Sequence, residues 1–184
     1  SQLGILLHTV FRYLDFVAAR RNPGLAEIDR QLVCMADLGM IQAEDLAVVR
    51  SYRRQILAFI ESSVAAELVE AQISPDGRAF IEMPFTLTLP ACQVYDPCDG
   101  LDPDDRVLVQ GIIDCWYRLG DSITLIDYKS DRIMGDDDAC AAELQRRYGR
   151  QLDYYAMAIE TAAGLPVRRR VIWHIGRARL FQLS

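Results

Sequence analysis

The sequence predicts an α+β fold: a helical front, then a sheet with one long helix packed on it. Three observations carry this. The N-terminal half keeps a helical period of apolar residues, first seen in Leu3, Leu6, Leu7, Val10, Phe11, Leu14 and Val17. From Ala79 onward the pattern changes to alternation and short β-branched runs. A single long helical segment, about Asp138 to Ala163, then divides the strand-like segments into two groups. Hydrophobic residues make up 51% of 184, enough for a substantial core. The reading is one domain over residues 1–184, mostly helical over 1–75 and sheet-containing over 76–184.

The elements follow in order. Asn22-Pro23-Gly24 ends the first periodic run. A second helix is expected from about Ala26 to Leu38, ending at Gly39, because glycine tolerates the left-handed conformation that closes helices. A third, long helix is expected from about Ala43 to the early 70s, bent near Ser62-Ser63. Pro75-Asp76-Gly77 reads as a turn. The first strand runs from Ala79 to Leu89, with Ile81, Met83, Phe85, Leu87 and Leu89 on one face. Pro90 to Arg106 is an acidic loop, with Asp96, Asp99, Asp102, Asp104 and Asp105 at spacings that fit no calcium loop, so it is read as a solvated insertion. Strands follow over Val107–Arg118 and Ile123–Lys129. Gly164 and Pro166 stop the long helix, and Val171–Ile175 and Arg179–Leu183 close the sheet.

Composition excludes some classes. No apolar run approaches the ~20 residues that span a bilayer. The first residues, Ser-Gln-Leu-Gly, lack the basic start of a signal peptide, and the chain does not begin with Met. The expectation is a segment cut from a larger protein. Five scattered cysteines contain no C-x2-C pair, which argues against zinc and against a disulfide framework and for a reducing cytoplasm. Net charge is −6, but residues 1–142 carry −11 and residues 143–184 carry +5, with Arg146, Arg147, Arg150 and Arg168 to Arg170 in the basic tail. Such a tail is either a solvated face or a phosphate-binding patch.

Lys129, in Leu125-Ile126-Asp127-Tyr128-Lys129-Ser130-Asp131, is the only lysine; the other nineteen basic residues are arginines. Before it, Leu119-Gly120-Asp121-Ser122 suits a two-residue hairpin turn of type II′. Symmetry about that turn pairs Leu119 with Ser122 and Arg118 with Ile123, and continued outward it sets Asp114 opposite Asp127. Directly opposed like charges are destabilising, and burial among Ile112, Ile113, Leu125 and Ile126 adds to the cost. Either one carboxylate holds a proton or a cation sits between them. Strand period puts Lys129 on the same face as Asp127. Two carboxylates suit Mg²⁺ or Mn²⁺, and a nearby amine can orient or deprotonate water, which arginine cannot. The bland alternative is a structural Asp127–Lys129 ion pair with a hydrogen-bonded Asp114.

These segments resemble the PD-(D/E)XK nuclease core, and more narrowly the C-terminal nuclease domain of AddA- and RecB-type helicase–nucleases. Four motifs in family order carry the resemblance. "LGILLHTVF" supplies Gly4 and His8, the histidine being a metal ligand in the family; taken alone, His8 at the edge of the apolar stripe reads as a packed histidine. "FIEMPFTL" supplies Glu82, which either supports the site or faces solvent. "GIIDCWYRLGDSITLIDYKSD" supplies Asp114 and Asp127 as metal ligands and Lys129 as the catalytic lysine. "RYGRQLDYYAMAI" supplies Gln151 and Tyr155 of a Q-x3-Y helix motif; taken alone, these read as a core tyrosine with an exposed glutamine.

The resemblance implies a restriction-endonuclease-like core, a mixed sheet flanked by helices. It implies Mg²⁺- or Mn²⁺-dependent hydrolysis of DNA by an exonuclease that acts on a single-stranded end during break repair and recombination. His8, Asp114, Asp127 and the Tyr128 carbonyl are the implied ligands, with Gln151, Tyr155, Arg147, Arg150 and the other C-terminal arginines positioning the strand. Implied partners are helicase motor domains in the same polypeptide and an AddB/RecC-type protein, in a bacterial cytoplasm, with no membrane. Related nucleases with an iron–sulfur cluster group three cysteines near the C-terminus; no cysteine follows Cys140, so no cluster is expected. Two alternatives stand: a silent nuclease fold kept for DNA binding or docking, and a site-specific endonuclease.

Overall fold

The structure, a computed structural model, describes residues 2–95, 100, 102 and 104–184. Six helices precede the sheet: α1 Gln2–Tyr13, α2 Phe16–Arg21, α3 Leu25–Asp37, α4 Leu46–Ser51, α5 Arg53–Glu61 and α6 Ser63–Ile73. The first periodic run is therefore two helices. The break at Leu14-Asp15 leaves no mark on the apolar spacing because Asp15 caps α2, its carboxylate accepting from Ala18 N at 2.8 Å. Buried Gln31 completes the junction, accepting from Asp15 N and donating to Asp15 O. Gly39, at φ +71°, closes α3 in a Schellman arrangement, with Met40 N bonded to Met35 O. The long third helix is also corrected. The chain breaks at Tyr52 as well as at Ser62, whose hydroxyl accepts from Ala65 N and caps α6.

Five strands form one sheet in the order β1-β2-β3-β4-β5: β1 Arg78–Pro90, β2 Arg106–Leu119, β3 Ser122–Lys129, β4 Val167–His174 and β5 Arg179–Leu183. All neighbours are antiparallel except β3 and β4. Between β1 and β2, where a plain loop was expected, lies a single helical turn, α7 Ala91–Val94. The parallel β3–β4 pair needs a long crossover, and α8, Asp137–Ala163, supplies it. Asp96 and Asp99 of the acidic stretch lie outside the described residues. Asp136 caps α8 through Ala139 N, and Gly164 ends it at φ +68°. No helix among the described residues is long and apolar enough to cross a membrane.

The sheet separates two cores. Cys115, Tyr117, Ile126, Tyr128, Val171 and Trp173 face the helical front; Trp116, Ile123, Leu125 and Ile172 face α8. β4 begins at Val167, earlier than expected, because Arg168 to Arg170 extend the ladder. Their alternation sends Arg169 to Glu67 on α6 and Arg170 to Asp153 on α8. These two arginines are ion-paired within the fold and do not line the cavity described below.

One expectation about β1 is overturned. Ile81 packs with the helical front, whereas Met83, Phe85, Leu87 and Leu89 pack on the α8 side. β2 does the same, with Cys115 on the front and Ile113 on the α8 side. The cause lies between them. Glu82 has φ +56°, a left-handed conformation rare outside glycine, and the ladder omits the Glu82–Asp114 pair between Ile81↔Cys115 and Met83↔Ile113. The strands exchange faces at that row.

Candidate active site

The β2–β3 hairpin sets the site. Gly120, at φ +56°, is the one positive-φ residue of its turn, as type II′ requires. Pairing runs from Leu119↔Ser122 to Cys115↔Ile126 and stops there. Asp114 and Asp127 come next in register but do not pair. Asp114 instead turns its side chain into the gap, and its Oδ2 accepts from Tyr128 N at 2.8 Å. Asp114 therefore stands beside two acidic neighbours, Glu82 on one strand and Asp127 on the other.

α1 brings the next group. Phe11 stacks on Tyr128 with centroids 4.2 Å apart, and His8, one turn earlier, lies with Nδ1 3.2 Å from Asp114 Oδ1. His8, Glu82 and Asp114 each place one ligand atom so that all lie within 4.8 Å of one another. Arg12, another turn along α1, is 3.9 Å from Glu82. Glu82 thus belongs with the site and is not a solvent-facing residue. Its strained backbone is what turns it there.

Asp127 and Lys129 share the α8 side of β3. Asp127 is 1% exposed, and its Oδ2 lies 2.7 Å from Lys129 Nζ. Lys129 Nζ also sits 4.4 Å over the ring of Tyr148 on α8, whose hydroxyl donates to the Asp131 carboxylate in a short bond. Asp114, Tyr128, Lys129, Asp131, Tyr148, His8 and Glu82 line one cavity of about 500 Å³.

The electrostatics follow from this crowding. Burial, then the Asp114 charge, push the Asp127 carboxyl up, and Lys129 and His8 offset only part of that. For His8, burial disfavours the charged ring, but the bond to Asp114 and the charges of Asp114 and Asp127 outweigh it and raise the pKa. Three buried or half-buried oxygen and nitrogen donors within 4.8 Å fit a divalent cation. Asp127 stands next to that set without being turned into it.

Gln151 and Tyr155 meet on one face of α8, with Gln151 Nε2 donating to Tyr155 Oη at 2.8 Å. Burial, then the charges of Asp127 and Asp114, raise the Tyr155 pKa. Arg147 is paired with Glu143, and Arg150 donates to the carbonyls of Gln93 and Val94 on α7; both line a second cavity beside the first. Sequence reasoning missed Tyr148 and Asp131. The signal for Tyr148 was present, since residues 148, 151 and 155 recur at i, i+3, i+7 on one helix face.

The crowding predicts a stability effect. Because the folded-state Asp127 carboxyl titrates above its ordinary range, the metal-free protein binds a proton that the unfolded chain has already released. Its stability falls as pH rises from the ordinary carboxylate range through the raised one. Asp114→Asn removes one cause of the shift and keeps an acceptor for Tyr128 N. At alkaline pH, where His8 is neutral, thermal unfolding should show the metal-free variant more stable by on the order of 1 kcal/mol. A variant less stable than wild type under those conditions would show that Asp114 is a net stabilising residue.

Residues 1–183 match the sequence pattern of the PD-(D/E)XK nuclease superfamily. Several curated relatives share one name, which describes them as subunits of an ATP-dependent helicase/nuclease. The chain is 30% identical over 177 residues to the one from Bacillus licheniformis, covering 94% of this chain and 13% of the relative. The Bacillus cytotoxicus protein is 32% identical over 177 residues, with the same coverage. The one from Ruminiclostridium cellulolyticum is 28% identical over 184 residues, all of this chain and 13% of the relative. The chain thus spans about 13% of the length of these curated relatives.

Proposed function

The chain belongs to the PD-(D/E)XK nuclease superfamily, and from that membership and the geometry above we propose that it hydrolyses phosphodiester bonds of single-stranded DNA, with Mg²⁺ as its cofactor and Mn²⁺ as a substitute. The observation that carries this reading is the His8–Glu82–Asp114 cluster lying in one cavity with Lys129 and its Asp127 partner. His8, Glu82 and Asp114 would hold the cation, with Asp127 and the Tyr128 carbonyl completing the set. Bound there, Mg²⁺ supplies positive charge for the phosphoryl oxygens and lowers the pKa of nearby water.

The chain's own groups do the rest. Lys129, held between Asp127 and the Tyr148 ring, directs the attacking water at phosphorus in line with the leaving 3′ oxygen. Asp114 is oriented by Tyr128 N, so its other oxygen faces His8. Gln151 and Tyr155 approach from α8 and position the strand beside Lys129. Arg147 and Arg150 have most of their charge engaged within the fold and still offer free N–H groups to phosphate, which adds affinity without sequence preference. The relatives are named as subunits of an ATP-dependent helicase/nuclease, which supports helicase motor domains working with this nuclease domain. The wider reading we propose puts those motors in the same polypeptide, feeding a single-stranded end, with an AddB/RecC-type partner protein, in break processing in a bacterial cytoplasm.

The test is degradation of end-labelled single-stranded DNA with Mg²⁺, stopped by chelation. Calorimetric titration with Mg²⁺ accompanies it. Protons compete with the cation for Asp127, so affinity should rise, and proton release should fall, as pH climbs through neutrality. No Mg²⁺-dependent cleavage would leave a DNA-binding or docking module instead. A Mg²⁺ affinity that ignores pH would remove Asp127 from the ligand set.

A further inference from the structure

Next to the cation cluster is a second cavity, of about 480 Å³, sharing Tyr148 with the first. Its chemistry differs. Its walls carry the rings of Phe85, Tyr148, Tyr154 and Tyr155 and the amide of Gln151. The Tyr154 ring is fixed in place, since Arg150 Nε donates to its hydroxyl at 3.0 Å and the guanidinium lies 5.8 Å from its centroid. Across β1 and β2, Phe85 pairs with Gly111, and its ring occupies the space a Cβ at 111 would take, 2.8 Å from Phe85 Cε1. Gln151 commits its Nε2 to Tyr155 and leaves Oε1 without a donor.

We propose that this cavity is a nucleobase subsite, which receives one unpaired base of the nucleotide adjoining the bond cut at the cation cluster. The proposal rests on the nuclease reading above and adds what the strand must present there. Arg147 and Arg150 line the same cavity, held by Glu143 and by the α7 carbonyls, and their remaining N–H groups serve the phosphates flanking that base while the rings take the base itself. Aromatic rings accept any base by stacking, worth roughly 1–3 kcal/mol per base, without reading sequence. Gln151 holds the Tyr155 hydroxyl and buries its own Oε1, so the amide orders the wall and the rings meet the base. A base inside a duplex is stacked and paired and cannot enter without being flipped out. The subsite therefore selects single-stranded DNA at the position of cutting.

The experiment uses the full-length protein, Mg²⁺ and single-stranded oligonucleotides carrying one abasic residue moved along the strand. Wild type should cut the bond adjoining the abasic residue about tenfold more slowly than the same bond in intact DNA. Tyr154→Ala should cut intact DNA about tenfold more slowly than wild type and show no further loss at the abasic residue. Tyr154→Phe, which keeps the ring, should restore the dependence on the base, separating stacking from misfolding. Equal cutting of intact and abasic DNA by wild type overturns the subsite alone. So does an abasic penalty that survives in Tyr154→Ala. A wild type that cuts no DNA overturns the nuclease reading beneath it.

Discussion

Replacing Lys129 with alanine is expected to lower Mg²⁺-dependent DNA cleavage by about 10³-fold, the range for removing a positioned acid–base or water-orienting group. Two losses combine. The attacking water loses the ammonium that the Tyr148 ring and Asp127 hold in place, at 4.4 Å and 2.7 Å. Asp127 also loses its counter-charge and, being 1% exposed, takes up a proton more readily and binds a cation less well. Lys129→Arg should not restore the rate. The side chain is only 13% exposed, so a planar guanidinium has little room, and it cannot release a proton near neutral pH. Single-turnover cleavage of labelled single-stranded DNA measures both variants. A Lys129→Ala protein cutting at the wild-type rate would end the role assigned to this lysine.

Phe59→Ala is expected to destabilise the fold by about 3–5 kcal/mol. Phe59 is fully buried and sits at the centre of a ring cluster, with Phe11, Phe16, Tyr128 and Trp173 at 5.3 to 6.0 Å. Removing it opens a cavity among groups fixed to different elements, so the surroundings cannot collapse together. The effect should reach the site. α1 is seated on this cluster through Phe11, and α1 carries His8; Tyr128 stands between Asp127 and Lys129. Urea unfolding measures the stability, and Mg²⁺ affinity measured on the still-folded variant should fall with it. A change under about 1 kcal/mol would show that the cluster is loosely packed.

The hairpin was legible because a two-residue turn fixes its own register. Gly120 alone determined which residue faces which, and the observed pairs from Leu119↔Ser122 to Cys115↔Ile126 follow that symmetry. The β1–β2 register had no such anchor, since residues 91–105 separate the strands. Glu82 could therefore not be set beside Asp114 from sequence. Its left-handed φ is equally invisible, because glutamate carries no preference for it. Alternation of Ile81, Met83 and Phe85 looked continuous while the structure divides those residues between two cores. The helix break at Asp15 hid for a related reason, since its cap satisfies the freed amide while apolar spacing carries on; the break at Tyr52 has no capping side chain to announce it, whereas Ser62 did mark its own. The basic tail misled through arithmetic. Arg146 and Arg147 share Glu143, Arg169 meets Glu67, Arg170 meets Asp153, and Arg177 and Arg179 share Asp137, so charge counted along the chain is partly offset in space, by carboxylates from outside the tail as well as within it.

The row Glu82, Asp114, Asp127 spans three adjacent strands at the one level where both ladders open. A notch cut this way has its width fixed by the hydrogen-bonded spacing of strands that stay paired beyond it. No loop is needed as a jaw. The segment joining β1 to β2 can accordingly lengthen or shorten without moving the three carboxylates, and the sheet itself serves as the gauge of the gap between them.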